Sequence, residues 1–168
     1  KITTSIIVSI LAAIFISSIY ENVSGKYMSE GTREALNEKR MGRQDSQTLI
    51  LSPINTNNLL GEATGIIYGY ITVNLPFESL IKFYKKPQVI LFSTWQIFLF
   101  YVLIIQFNKA RNASTSVYDE RLWLFHIIFS YLVIQGVFEP DLGSSIRHKF
   151  GILPIIYQAV FYTRLYDK

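Results

Sequence analysis

The chain has 168 residues, half of them apolar and 17% charged, with a net charge of +4 and a mean hydropathy of +0.27. Soluble domains carry about 25% charged residues; here the charges sit between long uncharged runs, which excludes an ordinary water-soluble globule and points to an all-α bundle of membrane helices. The basic residues lie at the ends of apolar runs without a recognition motif, so no nucleic-acid partner is expected; with no cysteine, thiol chemistry, disulfides and Cys-ligated zinc are excluded.

Five apolar segments are expected, forming a single transmembrane domain over residues 1–168. The first, Ile2 to Tyr20, follows a lone basic residue, as a signal peptide would. It is long, however, and closes Ser-Ser-Ile-Tyr-Glu without a small-x-small cleavage pattern, so it reads as a spanning helix. A polar extramembrane stretch, 21–61, holds five bases and five acids. Its "SEGTREALNEKRMGRQ" has helix formers but almost no apolar face. "LSPINTNN" then reads as helix entry, with Asn55, Thr56 or Asn57 as cap. The second segment, Ala63 to Phe77, is short and contains Gly65, Gly69, Asn74 and Pro76. Either it crosses and breaks at Pro76, or it is re-entrant and buried in protein, where irregular backbone is tolerated. "KFYKKP" reads as an interfacial anchor. Segments three (Pro87 to Asn108), four (Leu122 to Phe138) and five (Phe150 to Thr163) follow, with "KARNASTSVYDER" and the loop "GVFEPDLGSSIRHKFGILP" between them.

Topology depends on the second segment. If it does not cross, the 21–61 stretch, the Lys82–Lys86 turn and the 139–151 loop share one side, and Arg33, Arg40, Arg43, Arg147 and His148 face the same compartment. If all five cross, the 21–61 stretch lies opposite the other two.

Several side chains are suited to chemistry. Arg147 presents a planar fork for phosphate or carboxylate, and His148 can move a proton near neutral pH. Both, with Lys149, are also what a helix end at a membrane surface carries. Glu139 or Asp141 could act as a base, or form a polar helix exit in which Asp141 caps the next turn. Arg40 and Arg43, three apart, share a helix face and could clamp a diphosphate or be merely solvated. His126 and Gln135 fit interhelical hydrogen bonding. There is no P-loop, no helical pair of metal-binding histidines and no Gly-x-Ser-x-Gly elbow, which removes ATPase, zinc protease and serine hydrolase chemistry.

The order within "FEPDLGSSIRHKFGILPII" resembles a C-terminal signature of bacterial polysaccharide repeat-unit polymerases, the O-antigen and capsule group: an apolar helix, an acid-Pro-acid-x-Gly-Ser turn, Arg-His, then a Pro-containing helix. Upstream, "LLGEATGIIYGYITVNLPFESL" is similar to that group's apolar stretch ending Pro-Phe-Pro-Trp. Pro76 and Phe77 match, while Glu78 and Ser79 stand where Pro and Trp are common. The resemblance covers roughly Leu59 to Tyr157. It implies a bacterial inner-membrane, multi-pass enzyme that moves a growing glycan from undecaprenyl diphosphate to a sugar hydroxyl of the next lipid-linked repeat unit. It implies no metal or nucleotide cofactor, a chain-length regulator as a partner, and a longer protein of which this chain is the C-terminal part. By the same resemblance, Arg147 and His148 handle the diphosphate or the proton, Glu139 and Asp141 supply a base or hold Arg147, and Arg40 and Arg43 assist in substrate binding. The competing expectations are a transporter or flippase-like protein guiding an anionic substrate, and a structural membrane subunit.

Overall fold

The structure is a computed structural model that describes residues 2–29, 31–32, 35, 58–113, 120–139 and 141–166. Its main elements are six helices: α1 (Ile2–Ser24), α2 (Leu59–Asn74), α3 (Phe77–Lys82), α4 (Pro87–Ala113), α5 (Glu120–Phe138) and α6 (Leu142–Tyr166). Three of them, α1, α4 and α5, are long and apolar enough to cross a membrane. Among the described residues, expected segments one, three and four fall in these three helices; segment five falls in α6, and segment two is helical up to Asn74 and breaks at Leu75–Pro76.

Local chemistry sets the boundaries. The α2 cap is Asn58, one residue after the expected candidates; its Oδ1 accepts from the Gly61 amide at 2.7 Å, satisfying one of the free donors of the first turn. Asn55, Thr56 and Asn57 lie outside the described residues. Proline opens α4 at Pro87, where its missing N–H costs nothing. Of the 139–151 loop expected between segments four and five, residues from Leu142 on are helical. Arg147, His148 and Lys149 thus lie on α6, a helix of 25 residues that continues through Pro154.

Paired contacts fix the directions. Ser5 meets His126, and Ser9 donates to Ser130 at 2.9 Å. The partners advance together by four residues, so α1 and α5 are parallel. Gly136 lies against Tyr70 and Asn74 reaches the Leu132 carbonyl at 3.4 Å, so α2 is antiparallel to α5. The ring pairs Phe100–Phe129 and Phe107–Phe125 set α4 antiparallel to α5. Tyr131–His148, Gln135–Ser145 and Arg121–Ala159 do the same for α6. The end of α1, the starts of α2, α4 and α6 and the end of α5 therefore share one end of the bundle, called here the turn end.

Helix α2 enters at the turn end and stops beside Leu132, well short of the start of α5. The chain then passes Pro76 and α3 and returns to the turn end to begin α4. Of the two readings of the second segment, the geometry selects the re-entrant one. Its tip is satisfied by protein, as hydrocarbon surroundings require. The Leu75 amide donates to Ile71 O at 2.7 Å, Asn74 Nδ2 to Tyr70 O at 2.8 Å, and Lys149 Nζ to Val73 O at 2.9 Å.

Glycines let this piece pack closely. Gly61, Gly65 and Gly69 recur every four residues and are buried, a spacing that brings helix backbones together. On the facing helix, a Cβ at Gly136 would stand 2.5 Å from Tyr70 Cα. The core below is aromatic, with Phe107, Phe125 and Phe129 almost wholly enclosed in edge-to-face contacts. Outward, Val8, Leu11 and Phe15 on α1 and Leu91, Phe98 and Tyr101 on α4 are exposed, as lipid-facing residues are.

Candidate functional site

The short turn after α5 places its polar residues by backbone geometry. Asp141 is the α6 cap: its Oδ1 accepts from the Ser144 amide at 2.7 Å, and its carbonyl takes the Ser145 amide at 3.2 Å. Of the two roles open to Asp141 in the sequence, capping is the one the structure displays. Two residues earlier, the Glu139 amide closes α5 on Gln135 O at 2.9 Å. This leaves its side chain, 4% exposed, beneath the first turns of α6.

There the Glu139 carboxylate contacts His148 Nδ1. The imidazole is 63% exposed, and its backbone carbonyl accepts from Tyr131 Oη at 3.1 Å. A carboxylate on Nδ1 fixes the ring and directs Nε2 away from it. Next along the helix, Arg147 is exposed while Lys149 is only 2% exposed. The basic triplet of the sequence therefore divides: Arg147 and His148 face outward, and the Lys149 ammonium is spent inside on the last turn of α2. That position suits a cation, because the unpaired carbonyls of a helix C-terminus carry partial negative charge.

Below the turn, Ser145 ties three helices together. Its Oγ donates to Leu142 O at 2.8 Å and accepts from Gln96 Nε2 at 3.1 Å, and its carbonyl accepts from Gln135 Nε2. His126 contacts Ser5 and packs edge-on against Phe107 and Trp123, the interhelical bonding expected of it.

A second polar site at the turn end went unnoticed in the sequence. Glu62, in the first turn of α2, is fully buried. It accepts from Ser17 Oγ at 2.5 Å, from the Ser29 amide at 3.2 Å and from the Ser29 hydroxyl. Ser17 in turn accepts from the Met28 amide at 2.8 Å. These bonds hold residues 28–29 down on α1 and α2 at the turn end. The sequence clue was an acid three residues into an apolar run, with serines on one face of α1. Arg40 and Arg43 lie outside the described residues.

Toward the hydrocarbon, a cavity of about 260 Å³ opens between α1 and α5. Ala12, Ala13 and Ile16 form one wall, Val137 and Phe138 the other, with Met28 above. Phe138 directly precedes Glu139, so this apolar cavity and the Glu139–His148 pair lie at the same level of the bundle. At the membrane-facing edge of the re-entrant piece, Lys82 and the Tyr68 hydroxyl (2.6 Å) both contact the Glu78 carboxylate. Among the described residues, no group of three or more His, Asp or Glu is placed to share a metal ion.

No protein-family model, curated protein or solved structure matches the chain.

Proposed function

We propose that this chain is part of a bacterial inner-membrane enzyme that polymerises lipid-linked oligosaccharide repeat units. The observation that carries the reading is the buried Glu139 carboxylate bonded to the exposed His148 ring, with Arg147 exposed beside it. The motif resemblance suggests the substrate; the carboxylate-held imidazole supports reading His148 as a base, and the exposure of Arg147 supports reading it as an anion contact.

In this mechanism Glu139 holds Nδ1, and His148 Nε2 accepts the proton of the acceptor sugar hydroxyl as that oxygen attacks the anomeric carbon. The bond from that carbon to the lipid diphosphate breaks, and the leaving diphosphate carries away the electron pair. Arg147 meets the charge as it develops. Arg40 and Arg43 join it as substrate-binding residues from the polar stretch rooted at the same end. The apolar cavity ending at Phe138 suits the hydrocarbon tail of the lipid carrier. Asp141 serves by capping α6 and thereby setting the height of His148. A chain-length regulator would act on this assembly from outside the chain.

The test uses the full-length protein and the ladder of surface glycan resolved on a gel. Arg147→Ala, His148→Ala and Glu139→Gln should each collapse the ladder to single repeat units at normal protein levels, and Arg147→Lys should restore little if bidentate contact matters. Long ladders in Arg147→Ala and His148→Ala would refute the assignment. A carrier for an anionic lipid is the second reading, favoured by the re-entrant α2. It predicts that repeat units themselves fail to reach the surface in those variants.

A further inference from the structure

Five buried side-chain atoms have no hydrogen-bond partner among the described residues: Tyr70 Oη, Asn74 Oδ1, Gln96 Oε1, Gln135 Oε1 and Glu139 Oε2. The residues that carry them are between 1% and 9% exposed. They come from α2, α4, α5 and the turn, and contacts of the residues that carry them link these elements to one another. Gln96 and Gln135 both donate to Ser145. Gln135 O takes the Glu139 amide. Tyr70 abuts Gly136, the neighbour of Gln135, and Asn74 reaches Leu132, one turn before it.

Four of the five atoms only accept. Reversing the amides does not relieve them, because each NH₂ is already committed. Asn74 donates to Tyr70 O and Gln135 to Ser145 O. Gln96 donates to a Ser145 hydroxyl whose own proton goes to Leu142 O. A reversal would set oxygen against oxygen. Each stranded acceptor is destabilising by about 1–3 kcal/mol, and isolated exceptions are rare in native proteins. Four in one place call for a donor. Lys149 Nζ already donates to Val73 O beside Asn74; a small neutral donor adds no charge to this buried place.

We propose that these oxygens form a water-binding site at the tip of the re-entrant helix, running from Asn74 through Gln96 and Gln135 to the free oxygen of Glu139. Each water donates two hydrogens, so the four acceptors call for at least two buried waters, a kind that native proteins hold at otherwise unsatisfied groups. Through these waters, Gln96 and Gln135 are positioning residues: they hold one Glu139 oxygen so that the other stays on His148. The site stands independently of the glycan-polymerase reading.

The test is hydroxyl-radical labelling by a brief X-ray pulse in ¹⁸O-water, on the full chain in lipid nanodiscs. A bound water generates the radical beside the side chain it touches. The Tyr70 ring, though enclosed, should incorporate ¹⁸O at a rate comparable to that of exposed Tyr84. The double variant Gln96→Leu/Gln135→Leu removes two acceptors with little change of size; it should lower Tyr70 labelling several-fold and leave Tyr84 unchanged. If it fails to fold, Gln96→Met alone should lower Tyr70 labelling. An unlabelled Tyr70 in the parent protein would overturn the proposal, as would labelling that a folded variant leaves intact. Neither readout depends on glycan synthesis, so loss of the enzymatic reading would leave this result untouched.

Discussion

Replacing Gly136 by alanine adds one carbon where α5 crosses α2. The new Cβ would lie 2.5 Å from Tyr70 Cα and 2.6 Å from Tyr70 N, whereas ordinary contact begins near 3.4 Å. Both obstacles are backbone, so no side chain can swing aside. Helices α2 and α5 must part by roughly 1 Å in a core that packs like a crystal. Overpacking of this kind costs about 1–3 kcal/mol, and the upper half applies because rigid helices must move. The Asn74–Leu132 bond, already 3.4 Å long, would be lost with it, at about 1 kcal/mol. Alanine returns up to about 1 kcal/mol through its better helix propensity. The net expectation is about 2–3 kcal/mol of destabilisation, a factor of roughly 30–150 in the unfolding equilibrium. Gly151→Ala is the control: a Cβ there meets nothing within 4 Å, so only the propensity gain remains. Denaturant titration of the full chain in mixed micelles measures both. If Gly136→Ala proves as stable as Gly151→Ala, the close crossing of α2 and α5 is wrong.

Cysteines placed at Lys26 and Lys85 should react with a membrane-impermeant reagent from the same side, and one at Asn112 from the other; opposite sidedness of Lys26 and Lys85 would rule out the re-entrant path. Glu62→Ala strands the donors of Ser17 and Ser29 in a buried place and should cost about 3 kcal/mol by the same titration, with Glu62→Gln intermediate because it keeps an acceptor.

The apolar runs of α1, α4 and α5 were readable because an uncharged helix of that length has few places to go but a bilayer. The shortness of α2 and its Pro76 were readable as an anomaly, but direction was not. Only the cross-helix pairs, Ser9 with Ser130 or Asn74 with Leu132, decide which ends meet. The charge at Glu62 looked like the edge of a span, and it takes the fold to reveal that Ser17 and Ser29 close over it. At the turn, sequence order drew attention to Glu139, Asp141, Arg147 and His148. It did not separate the capping carboxylate from the one that holds the imidazole. Nine residues separate Glu139 from His148, and they meet because the turn is brief and α6 begins at once. Had the basic triplet stayed in a loop, as expected, no rule would have assigned Lys149 to the interior.

The bond from Lys149 to Val73 spans 76 residues of sequence, and this has a consequence for how the protein is made. During synthesis, α2 leaves the ribosome with the Val73 carbonyl lacking the Lys149 contact, whose donor does not yet exist. At about 5–20 residues per second, roughly 4–15 seconds pass before Lys149 is joined to the chain. Until then an apolar segment too short to cross must wait at the membrane surface or in the insertion machinery. Burial of α2 is thus a late event, conditional on the arrival of α6. A nascent chain truncated before Lys149 should carry α1, α4 and α5 in the membrane with α2 still outside the bundle.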